Sequence, residues 1–166
     1  MPRGWLRRLW LAAPTACRRW LVARIEPRFT VAVVGVFQDP DGRLLLLRHF
    51  WHVHGGWALP GGFLRHGEAP EEGLSRELHE ETGLRCDRLH LQLVRGVAGG
   101  KGIEIVFRGR IAIPEPLRLN SEIVEARWVS PDKLPEPIPA AQKRAIAIAL
   151  RGGRPSREGG LRESAD

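Results

Sequence analysis

At 166 residues, 43% of them hydrophobic, the chain has length for one compact domain with short extensions and apolar content for a core, which excludes two ordinary domains or wholesale disorder. The net charge of +7 is unevenly placed: residues 1–28 hold seven Arg against one Glu, residues 29–150 hold fifteen basic and fifteen acidic side chains, and residues 151–166 hold four Arg against three acids. A general polyanion binder carries its basic stripe on the fold itself, so the balanced middle argues against that class.

In chain order, the first 28 residues form a basic extension. Trp5, Leu6, Leu9, Trp10 and Ala13 recur at helical spacing, Pro14 interrupts, and Cys17, Trp20, Leu21 and Ile25 resume the pattern. Two short amphipathic helices follow, with no apolar run long enough for a signal-peptide core or a membrane span. Phe29–Phe37 is Val-rich and leads through Gln38-Asp39-Pro40-Asp41-Gly42 into the apolar run Arg43–His49, which reads as a hairpin. Pro70–Thr82 reads as a helix, with Pro at its first turn, Glu71 and Glu72 favouring the N-terminal dipole and Gly83 stopping it. Leu89–Val97 and Ile103–Ile113 are strand candidates around a glycine turn, and Ala126–Val129 is a short one. Ala140–Leu150 is an Ala/Ile-rich helix, and the Gly/Arg/Ser tail over 151–166 is expected to be disordered. Strands with helices between and after them imply an α/β layered domain over 29–150. Cys17 and Cys86 lack CxxC spacing, which fits a reducing compartment, most simply the cytoplasm.

The chemistry concentrates between Gly62 and Leu84, GFLRHGEAPEEGLSRELHEETGL. Glu77, Glu80 and Glu81 stand at i, i+3 and i+4, so one helix face presents three carboxylates. Clustered like charges destabilise an isolated helix and make sense beside a hard divalent cation, since Mg²⁺ prefers oxygen ligands. Leu74 and Leu78 would anchor the helix on the sheet, and Gly61-Gly62, lacking Cβ atoms, lets backbone approach the acidic face. Each Glu alone is an ordinary solvated charge. Seven fixed positions at usual residue frequencies coincide by chance about once in 10⁸ starting points.

This segment resembles the Nudix box, G-x5-E-x7-R-E-U-x-E-E-x-G-U with U apolar, at every specified position, and the resemblance extends more loosely over about residues 29–150. It implies an α/β/α sandwich around a mixed sheet, and a Mg²⁺-dependent hydrolase, Mn²⁺ being a possible substitute, acting on a pyrophosphate bond in a nucleoside-diphosphate-linked substrate. It implies further that Glu77, Glu80 and Glu81 hold the metal, with a backbone carbonyl near Gly61 or Gly62. Glu68 and Arg76 would organise the loop and helix by ion pairing, with Gly62 and Gly83 as structural positions of the box. The general base is a box glutamate or one from a later loop. Glu122 is preferred there, with Glu125 and Glu104 as alternatives.

Trp51, Phe50, His52 and Lys101 are candidates to clamp a nucleobase or phosphate, each equally readable as packing or solvated loop. Spacing of two in His49, His52 and His54 makes a poor chelate, so these read as structural or solvated. By resemblance, a Pro marking ADP-ribose hydrolases is replaced by Ala98-Gly99-Gly100, the chain has no Tyr to mark diadenosine polyphosphates, and a coenzyme A marker is missing. Nucleoside triphosphates and nucleotide sugars both remain open. The alternatives are RNA 5′-end pyrophosphohydrolysis and a non-catalytic nucleotide-binding module, which would tend to lose box glutamates. For residues 1–28 the preferred reading is packing of the Trp/Leu face on the catalytic domain or on a homodimer partner, with peripheral membrane or RNA contact as the others.

Overall fold

The computed structural model describes residues 4–25, 29–50, 56–97, 101–111 and 116–151. In chain order the elements are α1 (Gly4–Ala12), α2 (Thr15–Ile25), β1 (Thr30–Gln38), β2 (Leu44–His49), β3 (Trp57–Ala58), β4 (Gly61–Phe63), α3 (Pro70–Thr82), β5 (Leu89–Gly96), β6 (Gly102–Arg110), β7 (Ile123–Val129) and α4 (Ala140–Leu150). β1 is the spine of a mixed sheet. Along one edge it pairs parallel with β6 from Thr30↔Gly102 to Gln38↔Arg110. Along the other it pairs antiparallel first with β4, Val33↔Gly62 and Val34↔Gly61, and then with β2 at Gln38↔Leu44. β5 joins β6, while β3 and β7 both pair with β2.

The period of two along the strands sorts side chains to two faces. Val33, Phe37, Leu45, Leu47 and Phe107 meet Leu74 and Leu78 of α3 on one face. Val36, Leu44, Leu46, Leu93 and Val106 meet Ala145, Ile146 and Ala149 of α4 on the other. The result is the expected α/β/α sandwich, with both halves buried because each helix lays its small or branched apolar stripe on the pleat. Phe37 is wholly buried and lies across two glycines: a Cβ built on Gly35 would sit 2.2 Å from its ring, and one on its cross-strand partner Gly109 would sit 3.0 Å from it.

Local chemistry sets the element ends. α3 starts with Pro70 at its first position, and the Glu72 carboxylate accepts the Ala69 N–H at 3.4 Å. It stops at Gly83, whose φ of 75° is left-handed and whose N–H donates to the His79 carbonyl. In the hairpin turn, Asp39 accepts Arg43 N–H at 2.8 Å and the Arg43 side chain at 2.7 Å.

Several expectations change. β7 begins at Ile123 rather than Ala126, because pairing with β2 continues from Leu44↔Val129 to His49↔Ile123 and overrides its charged interior. β3 and β4 are strands that the Trp/Pro/Gly run does not announce; their partners impose them. Ile103–Ile113 ends as a strand at Arg110. α1 and α2 form on either side of Pro14 as expected, but Leu9, Trp10, Trp20 and Leu21 are exposed rather than packed on the catalytic layers. Among the described side chains, none from either helix belongs to the two cores. The expected disordered tail, apart from Arg151, lies outside the described residues, as do Trp51, His52, His54 and 98–100.

Candidate active site

The acidic face of α3 lies against β4, so the box is assembled by a helix packed on the sheet and a short strand pinned to β1. Glu81 is 3% exposed, and its Oε2 accepts the Gly61 N–H at 3.1 Å. Burial pushes its carboxyl from an ordinary 4.5 up to about 8; the Gly61 N–H opposes that rise, and the negative charges of Glu77, Glu122 and Glu80 reinforce it. His49, at the end of β2, places Nε2 3.6 Å from Glu81 Oε1. Gly61 reaches this position only as glycine: its φ is 151°, and a Cβ would fall 2.1 Å from the Val33 carbonyl oxygen. A Cβ on Gly62 would sit 2.5 Å from the carboxyl carbon of Glu77, so that carboxylate lies directly on the backbone.

Arg76 is the hub of the remaining charges. Its Nε and Nη2 donate to the two Glu68 oxygens at 2.7 and 3.0 Å, a bidentate pair. Nη1 donates to Glu77 at 2.7 Å and to Glu80 at 3.2 Å, and Nη2 reaches the Phe63 carbonyl at 3.3 Å. Glu68 also accepts the Arg65 N–H at 2.8 Å, and these bonds, the Arg76 side chain foremost, hold its carboxyl down to about 2. The Arg65 side chain reaches Glu80 at 3.2 Å. The Glu68–Arg76 pair stitches the loop before α3 to the helix.

Glu77, Glu80 and Glu81 share one face, yet among the described residues no three His, Cys, Asp or Glu side chains converge into a ready-made metal cage. Glu77 and Glu80 turn toward Arg76, whereas Glu81 turns toward Gly61. The donor set is nonetheless all oxygen, from carboxylates and a close-lying glycine backbone, which fits a hard divalent cation rather than a soft one.

Glu122 lies exposed at the entrance to β7, its N–H donating to Asn120 Oδ1 at 2.9 Å and its carbonyl accepting the Phe50 N–H at 3.0 Å. It is near enough to bear on Glu81 electrostatically. The other two candidates are engaged in ion pairs: Glu125 with Arg48 at 2.9 Å, Glu104 with Arg95 at 2.7 Å. Lys101 is exposed just ahead of β6, its carbonyl accepting the Thr30 N–H at 3.1 Å. Trp51 falls outside the described residues.

Sequence reasoning missed the placement of His49 beside Glu81. The signal was present: Leu45, Leu47 and His49 alternate onto the α3 face, so period two alone carries the imidazole under the acidic helix.

A family model described as the NUDIX domain matches residues 28–149. Over 138 residues the chain is 34% identical to a MutT-like protein of Streptomyces ambofaciens, covering 80% of this chain and 84% of that one. Over 134 residues it is 29% identical to the NAD-capped RNA hydrolase NudC of Vibrio parahaemolyticus, covering 81% of this chain and 48% of that one, so it spans about half of that relative's length. The crystal structure of the MutT protein from Methanosarcina mazei superposes with a TM-score of 0.63 at 30% identity, covering 76% of this chain and 96% of that one.

Proposed function

The chain belongs to the Nudix hydrolase family, and on that premise we propose that it cleaves a pyrophosphate bond in a nucleoside-diphosphate-linked substrate, a nucleoside triphosphate or a nucleotide sugar, with Mg²⁺ as its divalent ion and Mn²⁺ as a substitute. The observation that carries this reading is Glu81. A carboxylate 3% exposed, beside three further glutamates, is costly to ionise unless a cation arrives to neutralise it.

Glu77, Glu80, Glu81 and the Gly61 carbonyl would hold the ion. When bound, it neutralises the diphosphate, polarises the phosphorus centre and makes water more acidic. The chain does the rest. Arg76 and Glu68 fix the loop that carries β4 into α3, so the ligand face keeps one orientation. The Glu122 backbone is fixed at the rim by bonds to Asn120 and Phe50, and its exposed carboxylate accepts the proton of the attacking water. Lys101 and Trp51 are the proposed contacts to phosphate and base.

The test is phosphate or pyrophosphate release with Mg²⁺ across nucleoside triphosphates, dinucleotides, nucleotide sugars and 5′-triphosphorylated RNA, with Glu81→Gln as control. Selective turnover lost in Glu81→Gln supports the reading and names the substrate. Nucleotide binding without turnover, unaffected by that substitution, replaces hydrolysis with a binding role.

A second reading, RNA 5′-end pyrophosphohydrolysis, draws support from the likeness to the NAD-capped RNA hydrolase. It requires turnover of the RNA substrate that falls steeply with salt and depends on the arginines of residues 1–28.

A further inference from the structure

α1 and α2 hold large apolar side chains in water. Leu9, Trp10 and Leu11 are 59%, 41% and 57% exposed, and Trp20, Leu21 and Val22 are 63%, 40% and 37% exposed. Single exposed apolar residues are ordinary on a soluble surface, but a concentration on one helical pair marks an interaction surface. Arg7, Arg8, Arg19 and Arg24 are exposed among them, with the Arg24 guanidinium 5.3 Å from the Trp20 ring centre, and residues 4–25 contain no acidic side chain. The body over residues 29–150 is charge-balanced, so most of the asymmetry lies in this pair.

We propose that the α1–α2 pair docks on an anionic lipid bilayer, α1 lying in the headgroup region with Leu9 and Trp10 toward the acyl boundary, Trp20 of α2 at the headgroup level, and the exposed arginines of both helices at the phosphates. The charge pattern selects this occupant over the others. The chain's own body is not covering these residues, because they are exposed. A second copy would bring arginine-rich helices together with no acid on either to offset them. An RNA backbone would use the arginines but leave Leu9, Leu11, Leu21 and Val22 with nothing to bury against. An anionic membrane supplies negative charge and an apolar interior together. Docking is peripheral: helices of 9 and 11 residues reach roughly 13–17 Å, short of the ~30 Å hydrocarbon core, and among the described residues no helix is long and apolar enough to cross a membrane.

The test is co-sedimentation of the full chain with vesicles of phosphatidylcholine alone and of phosphatidylcholine mixed with phosphatidylglycerol. The expected result is binding to the mixed vesicles, at least about tenfold weaker on phosphatidylcholine alone. The pair Leu9→Glu and Trp20→Glu should cut binding to the mixed vesicles by at least about tenfold, and each of Arg7→Gln, Arg8→Gln and Arg19→Gln should cut it about fivefold. All these variants should keep wild-type turnover of a soluble substrate, which shows that the sandwich is intact. Equal binding to both vesicle types, or full binding by the Leu9/Trp20 variant, overturns the proposal. So does RNA binding that needs the arginines but not Leu9 and Trp20 in a chain that fails to sediment with vesicles. A drop in oligomeric size in the Leu9/Trp20 variant overturns it in favour of a second copy.

Discussion

α3 and α4 close opposite faces of the same sheet with 13 and 11 residues, and they do so under different rules. α4 buries Ala145, Ile146 and Ala149, contains no acid, and offers the sheet a smooth layer. α3 also seats two leucines, but buries Glu81 beside them and strings Arg76, Glu77 and Glu80 along the adjoining strip. A helix whose only task is to close a layer gains nothing from a carboxylate pushed to about 8. One of the two layers buries a carboxyl group and its twin does not, a difference that the proposed hydrolytic site would require and packing alone would not.

The largest test of that contrast is Glu81→Gln. Hydrolysis should fall by roughly two to three orders of magnitude, the scale of losing one preorganised electrostatic group. Without divalent ions the same substitution should raise stability near pH 8. The sign follows from linkage: the folded Glu81 carboxyl at about 8 lies above its ordinary 4.5, so the native state binds the extra proton between those values. The stability this proton confers is complete below pH 4.5 and lost as pH rises toward 8. Urea unfolding with a chelator across that window should show a decline in wild type and a flatter profile in Glu81→Gln. A steeper decline in the variant would refute the burial account.

Paired truncations come next. Leu78→Ala and Ile146→Ala should each cost about 2–5 kcal/mol in urea unfolding, since both side chains are essentially buried. Assayed well below the unfolding transition, only Leu78→Ala should lower kcat/KM, because it loosens the helix that carries the glutamates. Equal losses in both would erase the distinction between the layers.

Glu68→Gln sharpens the comparison further by loosening the bidentate pair with Arg76. Activity should fall about 10–100-fold, as for other residues that orient ligands from behind. Glu68 titrates in the opposite sense to Glu81: with its folded carboxyl at about 2, its stabilisation is present above pH 4.5 and lost as pH falls toward 2. The stability gap between wild type and Glu68→Gln should close across that acid window. The smallest effect expected is Arg127→Ala, which removes a guanidinium 4.9 Å from the Trp57 ring centre; stability should drop by about 0.5–1 kcal/mol with kcat/KM unchanged.

The sandwich was legible because its signals are local and periodic. Pro70, the Leu74/Leu78 spacing and Gly83 bound α3 at the residues observed, and the Ala/Ile run bounds α4. The hairpin shows in the Asp39–Gly42 turn. β4 was not legible, since Gly61-Gly62-Phe63 has weak strand character and becomes a strand through its pairing with Val33 and Val34. Spacing put the acidic residues on one face. It could not show that Arg76 would draw Glu77 and Glu80 toward itself while Glu81 turned to Gly61, since those choices depend on side-chain reach across tertiary contacts. His49 was readable by alternation but was grouped with histidines nearby in sequence rather than with the leucines that share its face.

Phe37 spread over Gly35 and Gly109 also constrains how this chain can diverge. Any side chain at position 35 meets the ring, and one at position 109 meets both the ring and, at 2.6 Å, the Cys86 sulfur. Each of these single changes is therefore blocked while the phenyl group stays, and a smaller residue at 37 alone opens a hole between β1 and β6. Tolerated change must come as coordinated sets, so positions 35, 37 and 109 should co-vary across descendants of this sequence and behave in deep mutational scans as one strongly epistatic unit.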